Sequence, residues 1–317
     1  MLAHIAWFAA GLAALIIGAE VMVRGGAALA ARLGISPIVV GLTVVSIGTS
    51  MPELAVGVVA AAEGNGALAV GNIAGTNVVN LLLVLGLSAL LVPLVLEVRI
   101  LRFELPVIAG SALLLWVLVL DGMLSRVDGL ILVAGAVVYI AAVVRASRRE
   151  PDPVQAEFAE ALPTGHPARH AAMTLGGIAV IVVGADWLVD AAVGMARDFG
   201  VSDALIGLTV VAIGTSAPEL VTTVISTLRG DRDIAIGNLL GSSIFNILLI
   251  LGVTAVVPAH GLALPASLIR IDIPIMVAVA LVCIPIFLSG RRVSRVEGGA
   301  MVVAYLGYLT FLLSTQT

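Results

Sequence analysis

The sequence predicts an all-α membrane protein of ten transmembrane helices, arranged as two five-helix repeats of inverted topology, and three observations carry that expectation. First, 61% of the 317 residues are hydrophobic and only 11% charged, with a mean hydropathy of +1.19. Soluble domains average about 25% charged residues, so this chain has too little polar surface to face water and must face lipid. Second, the apolar runs fall into two equal groups around a single polar stretch, 146–168. Third, a long motif in the first group recurs in the second. Glycine is abundant (34 residues) while aromatics are only 4%, which suits closely packed helices better than a barrel with aromatic girdles. The one cysteine, Cys283, excludes an intrachain disulfide and a thiolate metal cluster.

A crossing needs about 20 apolar residues. The first run, 3–22, lacks the basic start and cleavage site of a secretory signal and is read as a retained helix. The second, 36–62, and third, 68–92, carry the repeated motif; the fourth, 103–120, and fifth, 127–145, complete the first unit, 1–145. The connection 146–168 holds Arg148, Arg149, Glu150, Asp152, Glu157 and Glu160 among prolines, and is too short for a regulatory domain. Five further runs, 169–190, 203–228, 234–257, 271–289 and 296–314, build the second unit, 169–317.

Gly41 to Leu54, GLTVVSIGTSMPEL, recurs 166 residues later as Gly207 to Leu220, GLTVVAIGTSAPEL, with twelve of fourteen positions identical. At the same offset AVGNIAGTNVVNLLLVLG (69–86) matches AIGNLLGSSIFNILLILG (235–252), so the motifs span 41–86 and 207–252. Because five is odd, the second copy enters the membrane from the opposite face, as in secondary transporters. Thirteen of the sixteen arginines lie on the side of the loops after helices 1, 3, 5, 7 and 9, and only Arg126, Arg197 and Arg270 on the other. The positive-inside rule then puts both termini outside and the central loop in the cytoplasm of a plasma (inner) membrane protein.

Glu53 and Glu219 fall mid-span at equivalent positions. A carboxylate at bilayer depth costs at least about 2.5–3.5 kcal/mol and normally has a partner. The four histidines lie in loops or near helix ends and no basic residue lies at that depth, so the natural partner of the pair is a bound cation. Pro52 and Pro218 interrupt the same helices, freeing the carbonyls of Gly48 and Gly214 and those of neighbours such as Ser46 and Ala212. Carbonyls, hydroxyls and carboxylates are hard oxygen ligands, suited to Ca²⁺, Na⁺ or Mg²⁺. Asn72, Thr76 and Asn80, like Asn238, Ser242 and Asn246, form polar stripes at i, i+4, i+8. For Asn72 and Asn238 the competing role is a plain interhelical hydrogen bond. Glu20 and Asp186, also equivalent, read as solvated helix-end charges in preference to a part in gating, and Asp128 and Glu297 as structural.

At the two GTSxPE segments, each followed by GN-x-x-G-[ST]-x-x-x-N, the sequence resembles the cation/calcium antiporter superfamily in its sodium/calcium exchanger branch, over essentially the whole chain. The resemblance implies ten helices around one central site where Ca²⁺ and several Na⁺ compete. It assigns Glu53 and Glu219 as shared carboxylates, with Thr49, Ser50, Thr215, Ser216, Thr76 and Ser242 as oxygen donors. Backbone carbonyls of Ser46 and Ala212, and the amides of Asn80 and Asn246, complete the set. Potassium-dependent exchangers carry Asp at the position of Asn246, so an amide in both repeats looks more like the potassium-independent members. It also implies that helices 1 and 6 slide across the other eight.

The expected function is therefore Na⁺/Ca²⁺ antiport by alternating access, extruding Ca²⁺. The alternative is an H⁺/Ca²⁺ exchanger on the same glutamates. An intramembrane hydrolase using Ser50 or Ser216 lacks a nearby base, and a passive channel fits duplicated inverted halves poorly. Ca²⁺ and Na⁺ are substrates. No cofactor, nucleic acid or obligate protein partner is expected, only the bilayer.

Overall fold

The computed structural model describes residues 2–33, 37–95, 100–147, 166–199, 212–288 and 290–316. Most of the central connection and the start of the second motif, 207–211, lie outside these. The described residues form α1 (Leu2–Leu33), then α2 in two arms ending in Met51–Ala62, then α3 (Gly66–Leu91). After these come α4, which ends in Leu105–Leu118, α5 (Arg126–Ser147) and α6 (Pro167–Asp198). The chain continues with α7 (Ala212–Thr215 and Ala217–Arg229), α8 (Arg232–Val256), α9 (Leu268–Leu288) and α10 (Arg295–Gln316). Among them six helices are long and apolar enough to cross a membrane, and the bent α2 makes a seventh.

Two helices outrun their apolar runs. α1 continues eleven residues past the expected end at 22, to Leu33, and α6 runs to Asp198. Hydropathy marks where lipid contact stops, whereas helix propensity marks where the helix stops. The Ala-rich GGAALAARL tail carries Arg32 in its last turn, where a cation complements the carbonyl end. Glu20 and Arg24 pair one turn apart at 2.6 Å.

Links between the halves recur in equivalent pairs. Four two-residue strands sit at the helix ends, labelled β1 (Leu94–Val95), β2 (Met123–Leu124), β3 (Leu262–Ala263) and β4 (Arg292–Val293). β1 pairs with β4 and β2 with β3, with Leu94 opposite Val293 and Leu124 opposite Leu262. Arg126 donates to the carbonyls of Val257 and Pro258, and Arg295 to that of Leu91. Exchanging the halves leaves this pattern unchanged. The capping boxes match as well: Ser125 with Asp128 starts α5 and Ser294 with Glu297 starts α10, which gives both acids the structural role read from sequence.

α1 and α6 lie antiparallel against each other. Gly11 meets Gly184 and Leu188, Gly18 meets Gly177 and Ile181, and Gly25 meets His170 and Thr174. A Cβ on Gly18 would come within 2.9 Å of the Gly177 carbonyl, so these glycines set the backbone approach. Trp7 and Trp187 close one end edge to face, centroids 5.2 Å apart. The remaining helices enclose one apolar core around Leu85, Leu115, Ile244, Phe245 and Phe287, all under 2% exposed. Within it Glu104, fully buried, accepts a 2.7 Å hydrogen bond from Tyr139, whose ring stacks on Phe103.

Candidate cation site

α2 breaks where proline requires it. Its arms Gly41–Thr49 and Met51–Ala62 meet at 50° around Ser50. Ser50 (φ −86°, ψ 10°) and Ser216 (φ −84°, ψ 1°) adopt the same bridging conformation. Each proline then falls in the first turn of the second arm, where its missing N–H interrupts nothing. Glu53 and Glu219 follow in that same first turn, so the positive end of a half-helix lowers the cost of burying each carboxylate. The Ser46 carbonyl is less free than the proline argument implies. It keeps its helical partner, the Ser50 N–H at 3.1 Å, and also accepts from the Thr49 hydroxyl at 3.3 Å. Ala212 is the first described residue of the first arm of α7.

α3 and α8 bring the amides. A π-helical turn, Val79–Val84 in α3 and Asn246–Ile250 in α8, falls at Asn80 and Asn246 and re-aims those side chains away from regular helical register. α8 can approach α2 because Gly241 has no side chain. A Cβ there would stand 2.3 Å from the Ser46 hydroxyl and 2.8 Å from the Leu42 carbonyl. Ser46 uses the closeness, donating within its own helix to Gly41 at 2.6 Å and lying 3.0 Å from the Asn238 carbonyl.

The expected residues divide into two sets. One set is bonded across the repeats: Thr49 Oγ1 to Asn238 Oδ1 at 3.1 Å, Thr49 Oγ1 with Ser242 Oγ at 3.4 Å, and Ser50 Oγ to Glu219 Oε1 at 3.1 Å. Asn238 also donates to Thr223 at 3.2 Å, so its amide braces α2 against α7 and α8. Thr215 is buried with interactions of its own. The second set is buried yet finds no protein partner: both oxygens of Glu53, Oε2 of Glu219, Oγ1 of Thr76, Oγ of Ser216 and both amide atoms of Asn80 and Asn246. All these residues are at most 2% exposed. Asn72 is half-buried with its amide nitrogen unpartnered, unlike Asn238.

Buried polar atoms are almost always satisfied. The seven unpartnered oxygens on Glu53, Glu219, Thr76, Ser216, Asn80 and Asn246 are carboxylate, hydroxyl and amide oxygens, the hard donor types that suit Ca²⁺ or Na⁺. Sequence reading missed Thr222, Thr223, Ser226 and Thr227, all buried on α7. Their spacing from Glu219, i+3, i+4, i+7 and i+8, was the available signal. Glu20, read as a solvated helix-end charge, keeps 31% of its side chain exposed and pairs with Arg24 and with Arg229 of α7.

Comparison with known proteins agrees with this geometry. The family model described as "Sodium/calcium exchanger protein" matches residues 3–145 and 169–314. The chain is 39% identical to the putative antiporter CaxA of Alkalimonas amylolytica over 96% of its own length and 97% of that protein's. It is 36% identical to the inner membrane protein YrbG of Escherichia coli (98% and 96% covered) and 30% identical to the sodium/calcium exchanger MaX1 of Methanosarcina acetivorans (95% and 96%). The structure superposes on the sodium-calcium exchanger NCX_Mj soaked with Na⁺ and Sr²⁺ with a TM-score of 0.85, at 26% identity and 98% coverage of both chains.

Proposed function

Since the chain belongs to the sodium/calcium exchanger protein family, we propose that it is a secondary antiporter that exchanges Na⁺ for Ca²⁺ by alternating access at Glu53 and Glu219. The observation that carries this reading is the pair of fully buried, equivalent carboxylates with unpartnered oxygens, set among buried amides and hydroxyls. Thr49, Ser50 and Ser242 are hydrogen-bonded to the protein and orient the donors. Thr76, Asn80, Asn246, Ser216, Glu53 and Glu219 are the groups open to a cation. The mirrored strand pairs and arginine clasps support ten spans in two inverted five-helix repeats. The arginine bias supports a cytoplasmic face at the 229–232 and 291–295 loops.

Ca²⁺ neutralises the two carboxylates, whereas three Na⁺ would leave one positive charge, so the exchange would move net charge. The test is radiolabelled Ca²⁺ uptake into proteoliposomes loaded with Na⁺ and diluted into sodium-free buffer. Uptake that requires internal Na⁺ and is lost in Glu53→Gln and Glu219→Gln is expected. Uptake that follows an imposed pH gradient and ignores Na⁺ would replace Na⁺ with H⁺ and keep the site, and wild-type exchange in either variant would refute the site.

A further inference from the structure

The two repeats are near copies at the site and differ sharply just beyond it. On α7, past Glu219, the buried face carries Thr222, Thr223, Ser226 and Thr227. The equivalent positions on α2, past Glu53, are Val56, Gly57, Ala60 and Ala61. The second arm of α7 carries a line of hydroxyls at positions where that of α2 carries none, the nearest hydroxyl to Gly57 coming from Thr254 of α8. Helical hydroxyls usually return their proton to the carbonyl one turn back. Thr43, Thr174 and Ser243 do so here, at 2.6–2.9 Å. The hydroxyls of Thr222, Ser226 and Thr227 do not: they are at most 2% exposed and have no partner among the described residues. Only Thr223 is engaged, by Asn238.

The far end of the same arm is closed by charge. Arg229, the last residue of α7, binds Glu20 of α1, which also holds Arg24. At the opposite end the equivalents of Glu20, Arg24 and Arg229 are Asp186, Asp190 and Glu63, three exposed carboxylates that cannot form such a clasp. The apolar packing follows the same division. Val221 and Ile225 of α7 pack under Leu15, Ala19, Met22 and Val23 of α1. Their counterparts on α2, Ala55 and Val59, are exposed, Val59 by 57%. Among the described residues α1 therefore covers the second arm of α7, whereas the equivalent face of α2 is exposed.

We infer that Thr222, Ser226 and Thr227 line the cation route between the central site and the arginine-bearing face, and that the Glu20–Arg229 ion pair is the gate at its mouth. This rests on the antiporter reading above. Neutral hydroxyls replace part of a hydration shell without holding the ion as carboxylates would, which a route requires and a storage site does not. The asymmetry makes the device specific to one face: at the other end the equivalent positions, Asp186, Asp190 and Glu63, are carboxylates that attract cations and repel one another.

The test uses the full chain in proteoliposomes and in sided vesicles. Thr222→Val/Ser226→Ala should slow Na⁺-dependent Ca²⁺ uptake at least tenfold while equilibrium Ca²⁺ binding to the purified protein stays within twofold. Thr222→Ser should restore the rate. A cysteine at position 226, in a Cys283→Ala background, should react with a membrane-impermeant thiol reagent only from the arginine-bearing face. Glu20→Gln or Arg229→Gln should speed that reaction at least tenfold. Full uptake in the double variant, labelling from the opposite face, or labelling indifferent to Glu20 and Arg229 would each overturn the route. Glu53→Gln separates the two readings. If it abolishes uptake while the α7 variant is unaffected, the antiporter reading stands and the route falls; if it leaves uptake intact, the antiporter reading itself has failed.

Discussion

Glu53 is the side chain on which the site turns, because both its oxygens are buried and neither is bonded within the protein. Burying an ionised group without a partner is among the costliest arrangements available to a chain. Glu53→Gln removes that cost and also the charge that would hold a cation. The expected outcome in detergent is a melting temperature, without Ca²⁺, equal to or above that of the parent. Ca²⁺ should raise the parent's melting temperature, by a stabilisation of about 2.7 kcal/mol at a hundredfold excess over Kd, and leave the variant unmoved. A Ca²⁺ shift of the same size in Glu53→Gln would show that the ion binds elsewhere. Thr49 and Ser50 have a different role. Their hydroxyls are occupied by Asn238 and Glu219, so the same motif supplies both the groups that face the ion and the groups that hold those in position.

At the scale of the helix, the broken α2 and the close approach of α8 are the two devices that assemble the site. The break was legible in sequence, since an interior proline cannot keep its ladder. That the Ser46 carbonyl stays bonded was not, because the helix re-forms its hydrogen bonds around Ser50. The approach of α8 depends on Gly241, for which a Cβ has no room against Ser46 and the Leu42 backbone. Gly241→Ala should push α8 from α2, destabilise by about 1–3 kcal/mol as overpacking does, and slow exchange. Thermal melting and uptake measured together check this; a variant as stable and active as the parent would mean that the two helices do not need this distance. The abundance of glycine pointed to closely packed helices in general. Sequence could not say that Gly241 meets α2 of the other repeat, since spacing along one helix carries no information about its neighbour.

For the molecule as a whole, the contacts between α1 and α6 join equivalent helices of the two halves back to back, while β1–β4 and β2–β3 tie the halves at their ends. Gly11, Gly18 and Gly25 of α1 and Gly177 and Gly184 of α6 lie at the interface between these two helices, while Gly26 of α1 meets Val40 of α2. If the cycle moves one Ca²⁺ against three Na⁺, one positive charge crosses per turn, worth about 2.3 kcal/mol per 100 mV. Ca²⁺ uptake against internal Na⁺ sends that charge outward, so an interior-positive potential should accelerate it and an interior-negative one slow it. Potassium-gradient clamping with valinomycin measures the effect; rates indifferent to potential would point to an electroneutral exchange.

The chain's residue types alone determined that this is a membrane protein written twice, with two carboxylates, amides and hydroxyls at bilayer depth. Those properties are local: hydropathy, motif and ligand hardness are carried by each side chain wherever it sits. Only the tertiary structure decided which oxygens the protein consumes and which it leaves open, and that Arg229 of α7 meets Glu20 of α1. Near-identical repeats encode near-identical local structure. Glu53 without a partner among the described residues and Glu219 bonded to Ser50 are a difference that arises from packing between the halves.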